Sequence, residues 1–394
     1  MENRNIVVLP GDGIGNFVIP EALRVLDRVG FKTNYINADI GWEFWRKEGN
    51  PLPQRTIDLL EEHKVGLFGA ITSKPKKAAD EELDPALRNK GYVYYSPIVG
   101  LRQHFDLDIS IRPCKTYKGN PLNFIRKGQK DTIDEPNIDA VIFRQNTEGL
   151  YGGVEWTNPP ADVRAALETH PKMANFSHVP SKDMAISTRI FSRNACRRIV
   201  EAAFAYADKF GYRSVTVCEK PNVIRETSGM MEDEAKKASE KYSNIDLWST
   251  NIDAQMMWLT KNPEDYGVLV CGNMFGDIAS DGFAGLIGGL GFACSANIGD
   301  NCAVFEPTHG SAPKYADYDV SIVNPIAMIL SACMMLDHID ETEKADRIRK
   351  AIGGVLQEGL VRCYDMLKLK GSEDAVAKGA ASTQQMTDAI LAKL

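Results

Sequence analysis

Residues 5–29 of this 394-residue chain read NIVVLPGDGIGNFVIPEALRVLDRV. The apolar run that ends at Pro10 predicts a buried β-strand, and the spacing of apolar residues after Asn16 predicts a helix. A glycine-rich turn, GDGIG, joins the two. A strand that leads through a short turn into a helix is the building unit of α/β proteins, so this stretch predicts an α/β fold.

The same alternation continues along the chain. Further strands are predicted at 33–41, 65–71, 139–144, 214–220 and 267–272, and helices at 53–63, 193–209, 228–241, 325–339 and 343–359. Strands that alternate with helices predict a mostly parallel sheet. Residues 149–192 break the pattern because they are rich in proline, polar and aromatic residues. Long irregular inserts are usually functional or interacting, and the strand-like VEW and MAISTRIF within it predict an ordered arm.

The bulk composition excludes several classes of protein. Apolar residues make up 44% and charged residues 25% of the chain, which is typical of a globular protein, and the length predicts two domains. The net charge is −7 and no basic tract occurs, so we expect no nucleic-acid partner. We expect no membrane span either, since no uninterrupted apolar run reaches ~18 residues. The eight scattered cysteines without a CxxC pair, and an N-terminus without a signal peptide, predict reduced thiols in a cytoplasmic protein.

The turn at residues 11–16, GDGIGN, superficially resembles a dinucleotide-binding fingerprint. It does not match GxGxxG, and Asp12 would repel a pyrophosphate at the start of the helix. A tight turn explains the glycines equally well.

Two carboxylates interrupt an apolar run near NMFGDIASD, residues 273–281. Asp277 and Asp281 are four residues apart and would share one face of a helix. Buried carboxylates are costly unless something pairs with them. Together with Asp253 in STNIDAQ, they suit a hard divalent cation, Mg²⁺ or Mn²⁺. A helix N-cap is the alternative for Asp277 alone.

Basic residues near predicted strand ends indicate an anion site. Arg102, Arg112 and Arg144 would each be a surface charge by default, but together they form a clamp for carboxylates. Tyr151 follows seven residues after Arg144 and could supply a phenolic proton. Lys220 directly follows a strand, at the end where ligands bind in α/β proteins, although a surface lysine is the alternative.

Seven motifs, in this order, resemble the isocitrate/isopropylmalate dehydrogenase family of β-decarboxylating enzymes. They are PGDGIG, LRQHFDLDISIRP, RQNTEGLYGGVEW, EKPNV, NIDAQ, GNMFGDIASD and HGSAPKYA. The resemblance covers nearly the whole chain. It implies a two-domain α/β fold with a central cleft, not a Rossmann fold, in a homodimer with shared active sites. The implied large domain spans 1–107 and 288–394, the small domain 108–148 and 193–287, and an inter-subunit clasp 149–192.

The resemblance also implies residue roles. Tyr151 matches the proton donor, and Lys220 matches a catalytic lysine contributed by the neighbouring subunit. The implied substrate-binding residues are Ser96, Arg102, Arg112, Arg144 and Asn222, and the implied metal ligands are Asp277 and Asp281, with Asp253 from the neighbour. The implied coenzyme-binding residues are Thr72, His309, Gly310, Ser311, Ala312, Lys314, Tyr315, Asn324, Tyr364 and Lys368.

The resemblance favours NADP as the coenzyme, with NAD as the alternative. Lys314 stands where NAD-using members usually carry an acidic residue. Tyr364 and Lys368 have the spacing of the tyrosine and arginine that hold the 2′-phosphate in bacterial NADP-dependent isocitrate dehydrogenases. Cations and phenols suit a phosphate monoester.

The implied reaction is metal-dependent oxidative decarboxylation of a 2-hydroxy-3-carboxy acid, with isocitrate to 2-oxoglutarate favoured. Ser96 matches the serine that isocitrate enzymes use. Ile98 and Val99 form an apolar wall similar to that of homoisocitrate or 3-isopropylmalate enzymes, which are the alternatives. The charged loop 73–95 could reach an extra anionic group. A non-catalytic regulatory subunit of a hetero-oligomer is a different class, against which the complete set of catalytic and metal residues argues.

Overall fold

The computed structural model describes residues 5–128 and 132–394. In chain order, the strands β1 to β14 of this part are Asn5–Gly11, Asn34–Asn37, Val65–Ala70, Ile109–Lys115, Arg126–Lys127, Ile133–Asp134, Asp139–Gln145, Glu155–Thr157, Ala185–Ser187, Ser214–Glu219, Asp246–Asn251, Val268–Cys271, Cys294–Ile298 and Ala303–Pro307. The helices α1 to α13 are Gly15–Arg28, Trp42–Glu48, Gln54–His63, Lys76–Glu82, Pro97–His104, Ala161–Glu168, Arg193–Phe210, Arg225–Ser239, Ile252–Trp258, Asn273–Leu286, Ile326–His338, Thr342–Glu358 and Thr383–Leu391.

Ten strands form one sheet in the order β11-β10-β12-β7-β4-β13-β14-β3-β1-β2. The strands on both flanks pair in parallel, as the alternation of strands and helices predicts. In the centre, β4 and β13 are antiparallel to both of their neighbours. The sheet therefore consists of two parallel halves joined by two reversed strands, which is not a Rossmann-type layout.

The opening strand–turn–helix forms as predicted, and its glycines are there for the turn. Ile6 to Leu9 of β1 are fully buried. Gly11 has φ of +71°, and a Cβ added there would lie 1.9 Å from the carbonyl oxygen of Ala70. Only glycine fits this conformation and this close approach of two backbones. The tight-turn interpretation of GDGIG is therefore confirmed.

Asp12 in this turn has a structural role. Its carboxylate accepts the backbone N–H of Trp42 at 2.7 Å and that of Thr72 at 2.8 Å. Burial raises the pKa of Asp12 above its usual value. The side chain thus connects the loop after β1 to the end of β3 and the start of α2.

Helices cover both faces of the sheet. Apolar side chains of α1, α11, α12 and α13 pack into the largest core, which reaches β1, β3 and β14. A second core lies between α7, α8 and strands β7, β10 and β12. All eight cysteines are buried and free, in agreement with the prediction of reduced thiols. Within the described residues, no helix is long and apolar enough to cross a membrane.

The insert at 149–192 is ordered, as predicted. VEW and MAISTRIF contribute β8 and β9, which pair as an antiparallel hairpin, and α6 lies between them. Residues 282–298 hold the end of α10, a turn-rich segment at 287–292 and the whole of β13. Phe283 and Ala284 are buried against the core. The predicted domain boundaries remain a prediction.

Candidate active site

The centre of the candidate site is the carboxylate of Asp277 on α10. Arg112 on β4 donates from Nη1 to Asp277 Oδ1 at 3.0 Å, and Arg144 on β7 donates from Nη1 to the same oxygen. The hydroxyl of Tyr151 donates to Oδ2 at 3.1 Å. Two guanidinium groups and a phenol are therefore the partners that this carboxylate in an apolar run requires.

The sheet register explains why these side chains meet. On β4, Ser110, Arg112 and Cys114 point to the face covered by α10 and are buried. β7 pairs antiparallel with β4 and brings Arg144 opposite Ser110. A Cβ added at Gly276 would lie 2.7 Å from Cβ of Arg144, so glycine lets α10 lie directly on this arginine.

Asp277 and Asp281 lie on one face of α10, as predicted from their spacing. The Asp281 side chain is 61% exposed, and its nearest cation is Arg112 at 3.8 Å. Burial is the main cause that raises the pKa of Asp281. The two carboxylates fit a hard cation such as Mg²⁺ or Mn²⁺, which binds oxygen ligands.

The third predicted arginine is held nearby by different partners. Arg102, at the end of α5, donates from Nη2 to Glu306 at 3.0 Å and from Nε to Asn297 at 3.1 Å. Burial lowers the pKa of Arg102 and of Arg144, and the neighbouring Arg112 cation lowers both further. Three arginines that partly repel one another make this face suited to an anion with several carboxylates.

Sequence reasoning missed the polar residues that orient the arginines. Asn273 accepts Arg144 Nε at 2.9 Å, and Ser280 accepts Arg112 Nη1 at 2.8 Å. Both lie within four residues of Asp277, so helical spacing could have identified them. Asn297 and Glu306 are about 200 positions away from Arg102, and no local pattern points to them.

Lys220 and Asp253 form a second group. Lys220 follows β10, Asp253 lies in the first turn of α9 after β11, and Lys220 Nζ donates to Asp253 Oδ1 at 2.5 Å. This hydrogen bond is the main cause that lowers the pKa of Asp253. Asn222, close by in sequence, is exposed.

The structure does not bring this second group to the arginine cluster. No hydrogen bond or ion pair joins Lys220 or Asp253 to Arg112, Arg144 or Asp277 within the described ranges. In the same part of the chain, no three His, Cys, Asp or Glu side chains converge to hold a metal. The predicted set of three aspartates is thus divided into a pair and a separate single residue.

Glu219, next to Lys220, is a further residue that the sequence did not reveal. It is fully buried and accepts Arg189 at 2.6 Å and the backbone N–H of Gly272 at 2.6 Å. Arg189 belongs to the insert, and Gly272 precedes α10. Glu219 therefore links the insert, the end of β10 and the start of the helix that carries Asp277.

The predicted coenzyme residues gather around the loop after β14. Thr72 and Ser311 share a hydrogen bond of 2.6 Å between their hydroxyls, and the Ser311 carbonyl accepts the Ile14 N–H at 2.9 Å. Gly310 is exposed, and Ala312 has a positive φ of 37°.

His309 in this loop has a buried ring nitrogen that could bind a coenzyme. His309 Nε2 is buried and has no hydrogen-bond partner among the residues that the structure describes. Burial lowers the pKa of His309, which favours the neutral imidazole. A donor or acceptor on a bound coenzyme would satisfy this nitrogen.

The two predicted phosphate-binding tyrosines lie side by side. The rings of Tyr315 and Tyr364 are 5.7 Å apart, and Lys314 Nζ lies 4.5 Å from the Tyr315 ring. Asn324 is buried and donates to Asp365 at 3.1 Å. Lys368 is exposed, and in the described part of the chain its side chain forms no hydrogen bond or ion pair with this group.

The two residues of the predicted apolar wall differ in exposure. Ile98 is buried in the core beneath α5 with Leu101 and Leu107. Val99 is 39% exposed and lies one turn before Arg102. Ser96 is the N-cap residue of α5 and is partly exposed.

Gln145 and the charged loop 73–95 form hydrogen bonds and ion pairs with residues near them in sequence. Gln145 accepts the backbone N–H groups of Thr147 and Glu148 and so shapes the loop that leads to Tyr151. In the charged loop 73–95, Lys74 pairs with Glu82 at 2.6 Å. Lys76, Lys77 and Lys90 are exposed.

Comparison with known proteins identifies the group to which these features point. The family model for isocitrate/isopropylmalate dehydrogenase matches residues 5–390. The chain is 40% identical to homoisocitrate dehydrogenase of Methanocaldococcus jannaschii over 88% of each protein, and 35% identical to isocitrate/homoisocitrate dehydrogenase of Thermus thermophilus over 99% of this chain and 98% of that one. It is 36% identical over 98% of its length to Protein DlpA of Legionella pneumophila, of which it spans 58%. Among solved structures, isocitrate dehydrogenase from Methylococcus capsulatus matches with a TM-score of 0.80 and 32% identity over 99% of both chains.

Proposed function

Because this chain belongs to the isocitrate/isopropylmalate dehydrogenase family, we propose that it oxidises and decarboxylates a 2-hydroxy-3-carboxy acid with NADP⁺ and a divalent metal. Members of this family are oxidative decarboxylating dehydrogenases that act on small molecules and use NAD(P) and divalent metal ions. The observation that carries the proposal is the convergence of Arg112, Arg144 and Tyr151 on Asp277.

The arginines bind and orient the substrate. Arg102, Arg112 and Arg144 point to one face of the sheet, where their planar guanidinium groups donate paired hydrogen bonds to the substrate carboxylates. In the free protein, Asp277 offsets the positive charge of Arg112 and Arg144. When substrate binds, its carboxylates neutralise these two arginines instead. Burial keeps these interactions strong because little water screens them.

The proton transfers fall to Lys220 and Tyr151. Lys220 assists removal of the C2 hydroxyl proton while hydride leaves C2 for the nicotinamide, and the resulting 2-oxo acid loses its C3 carboxylate as CO₂. Tyr151, which is 48% exposed beside Asp277, then protonates C3. When bound at Asp277 and Asp281, Mg²⁺ or Mn²⁺ would supply Lewis-acid stabilisation of the charge on the C2 oxygen. Each proton donor or acceptor of this kind contributes about 10²- to 10⁴-fold in rate.

A second copy of the chain completes the site. Lys220 and Asp253 lie together but outside the arginine cluster, so in the proposed homodimer they serve the cluster of the partner subunit. The exposed apolar side chains suit such an interface. They include Phe176 and Ile190 in the insert and Met257 and Trp258 on α9.

NADP is the proposed coenzyme because of the charge around Tyr315. Lys314 and the two phenols offer a cation and hydroxyl donors to a 2′-phosphate, and no carboxylate pairs with Lys314 in the described residues. The alternative, NAD, would need an acceptor for the ribose hydroxyls at this position.

Isocitrate is the favoured substrate, supported by Ser96 at the start of α5. Val99 is the observation that favours a second candidate, since an exposed apolar residue one turn from Arg102 suits the longer or branched side group of homoisocitrate or 3-isopropylmalate.

Two substitutions test the proposed catalytic roles. We expect Tyr151→Phe and Lys220→Met each to lower kcat by about 10²-fold or more. Lys237→Met on α8 and Tyr242→Phe just beyond it are matched controls that should leave kcat unchanged. Turnover by the purified chain alone would also exclude a non-catalytic regulatory subunit. Unchanged kcat in both site variants would contradict the proposal.

A further inference from the structure

A cavity of about 620 Å³ lies on the side of the sheet opposite to the candidate active site. On β4, Ile109, Ile111 and Pro113 line it, and these residues alternate with the buried residues that point toward α10. The register places Phe143 of β7 and Ala296 of β13 on either side of Ile111, and both also line the cavity. The cavity therefore sits over the two reversed strands at the centre of the sheet.

Within the described residues, the helices on this face leave β4 only partly covered, and this opens the cavity. α7 packs over β7 and β12, whereas α11 packs over β13 and β14. The gap between the two helices leaves Ile109, Ile111 and Pro113 partly exposed, although β4 is a central strand of a ten-stranded sheet. Apolar side chains at such a position are normally fully covered, so the uncovered patch indicates a binding surface.

Most charged groups around the cavity are already paired with one another, whereas Lys209 Nζ lies 5.5 Å from the centre of the Phe210 ring. Lys115 contacts Asp139 at 2.7 Å, and Tyr212 donates to the same carboxylate at 2.7 Å. At the other end, Arg349 pairs with Asp337 and with Asp346 at 3.1 Å. A charged ligand would find few free partners here and would lose its hydration, which is costly.

Two phenolic hydroxyls are available instead. Tyr117 and Tyr206 line the cavity, and neither hydroxyl has a hydrogen-bond partner among the residues that the structure describes. Burial of both rings raises the pKa of each phenol, so both stay protonated at neutral pH. Deeply placed hydroxyls without a protein partner are suited to one or two hydrogen bonds from a ligand.

We propose that this cavity is a binding site for a neutral, largely apolar small molecule that carries one or two hydrogen-bonding groups such as a carbonyl. The volume lies within the roughly 300–1,000 Å³ of small-molecule sites, and the walls are mainly aromatic and aliphatic. The cavity is separate from the candidate active site, so the proposal for the cavity can be tested independently of the proposed function.

A titration with Nile red, a neutral apolar dye with a carbonyl group, tests this proposal on the full chain. We expect saturable binding of one dye per chain, with fluorescence that rises on entry to an apolar environment. Ala205 lines the cavity from α7, and Ala205→Trp should fill it and weaken binding about tenfold or more. Ala392→Trp places the same side chain at another exposed alanine, outside the cavity, and should leave binding unchanged.

The hydroxyl and the ligand class are tested separately. Tyr206→Phe keeps the ring and should weaken dye binding about two- to tenfold through one lost hydrogen bond. It also decides the question if Ala205→Trp does not fold, as judged by circular dichroism. The anionic dye anilinonaphthalene sulfonate should bind at least about tenfold more weakly than Nile red. Equal binding of Nile red to the native protein, Ala205→Trp and Tyr206→Phe would overturn the proposal. A native protein that binds no Nile red, because a second copy of the chain covers the cavity, would also overturn it.

Discussion

Replacement of Asp277 by asparagine tests the electrostatic argument for the candidate site. The carboxylate of Asp277 is the only one within 3.5 Å of the Arg112 and Arg144 guanidinium groups in the described residues, and their side chains are only 9% and 3% exposed. Asp277→Asn keeps the shape and one acceptor but removes the negative charge. Two buried cations would then face each other with only the Asp281 carboxylate, 3.8 Å from Arg112, to offset their charge.

The magnitude follows from the burial of the partners. Breaking a buried ion pair by removing one member costs about 3–5 kcal/mol. The Asp277 side chain is itself 32% exposed, so water screens part of the interaction, and we expect a loss of about 2–3 kcal/mol in the free energy of unfolding. Asp281→Asn is the matched control on the same helix face. Its side chain is 61% exposed and 3.8 Å from Arg112, so its loss should be about 0–1 kcal/mol.

Urea unfolding at one fixed protein concentration, with a chelator present to remove metal, measures both losses. The chelator matters because a bound cation would add to the effect at both positions. If Asp277→Asn and Asp281→Asn lose the same small free energy of unfolding, water or another group neutralises the two arginines, and the electrostatic argument is refuted.

Three further outcomes are expected. The double change Lys314→Asp with Tyr315→Ile should shift the ratio of the kcat/KM values for the two coenzymes toward NAD⁺ by roughly ten- to a hundredfold, because a hydrogen bond to a charged group contributes about 1.5–3 kcal/mol. An unchanged ratio would mean that Lys314 does not contact the 2′-phosphate. Mixing inactive Tyr151→Phe with inactive Lys220→Met protein should restore activity through hybrid sites, and no recovery after verified subunit exchange would argue against sites shared between subunits. Glu219→Ala should lower the free energy of unfolding by about 3–5 kcal/mol because it leaves the Arg189 cation without its partner. A loss below about 1 kcal/mol would show that this buried pair does not hold the insert to β10.

Local patterns predicted part of the strands and helices, including β1, β3, β7, α1 and α7, but no strand at β4 or β13. The buried run of β1 and the helical spacing of α1 identified the opening unit, and the four-residue spacing correctly placed Asp277 and Asp281 on one helix face. The order and direction of the strands were not predictable in this way. β4 and β13 run antiparallel to their neighbours, and pairing direction depends on contacts between distant segments rather than on local periodicity.

The candidate site shows the same division. The arginines could be found because each belongs to a recognisable motif, but the partners of Arg102 could not, since Asn297 and Glu306 come from strands far along the chain. The difference in exposure between Ile98 and Val99 has a geometric reason. Neighbouring residues on a helix point in directions about 100° apart, so Val99 is exposed while Ile98 enters the core.

The most direct test of the proposed reaction is to measure coenzyme reduction and CO₂ release together. The purified chain would be incubated with Mg²⁺, either NAD⁺ or NADP⁺, and isocitrate, homoisocitrate or 3-isopropylmalate in turn. We predict that NADP⁺ is reduced fastest with isocitrate, that one CO₂ appears for each coenzyme reduced, and that a chelator stops both. Failure of all three acids to reduce either coenzyme, or reduction without release of CO₂, would contradict the proposed oxidative decarboxylation.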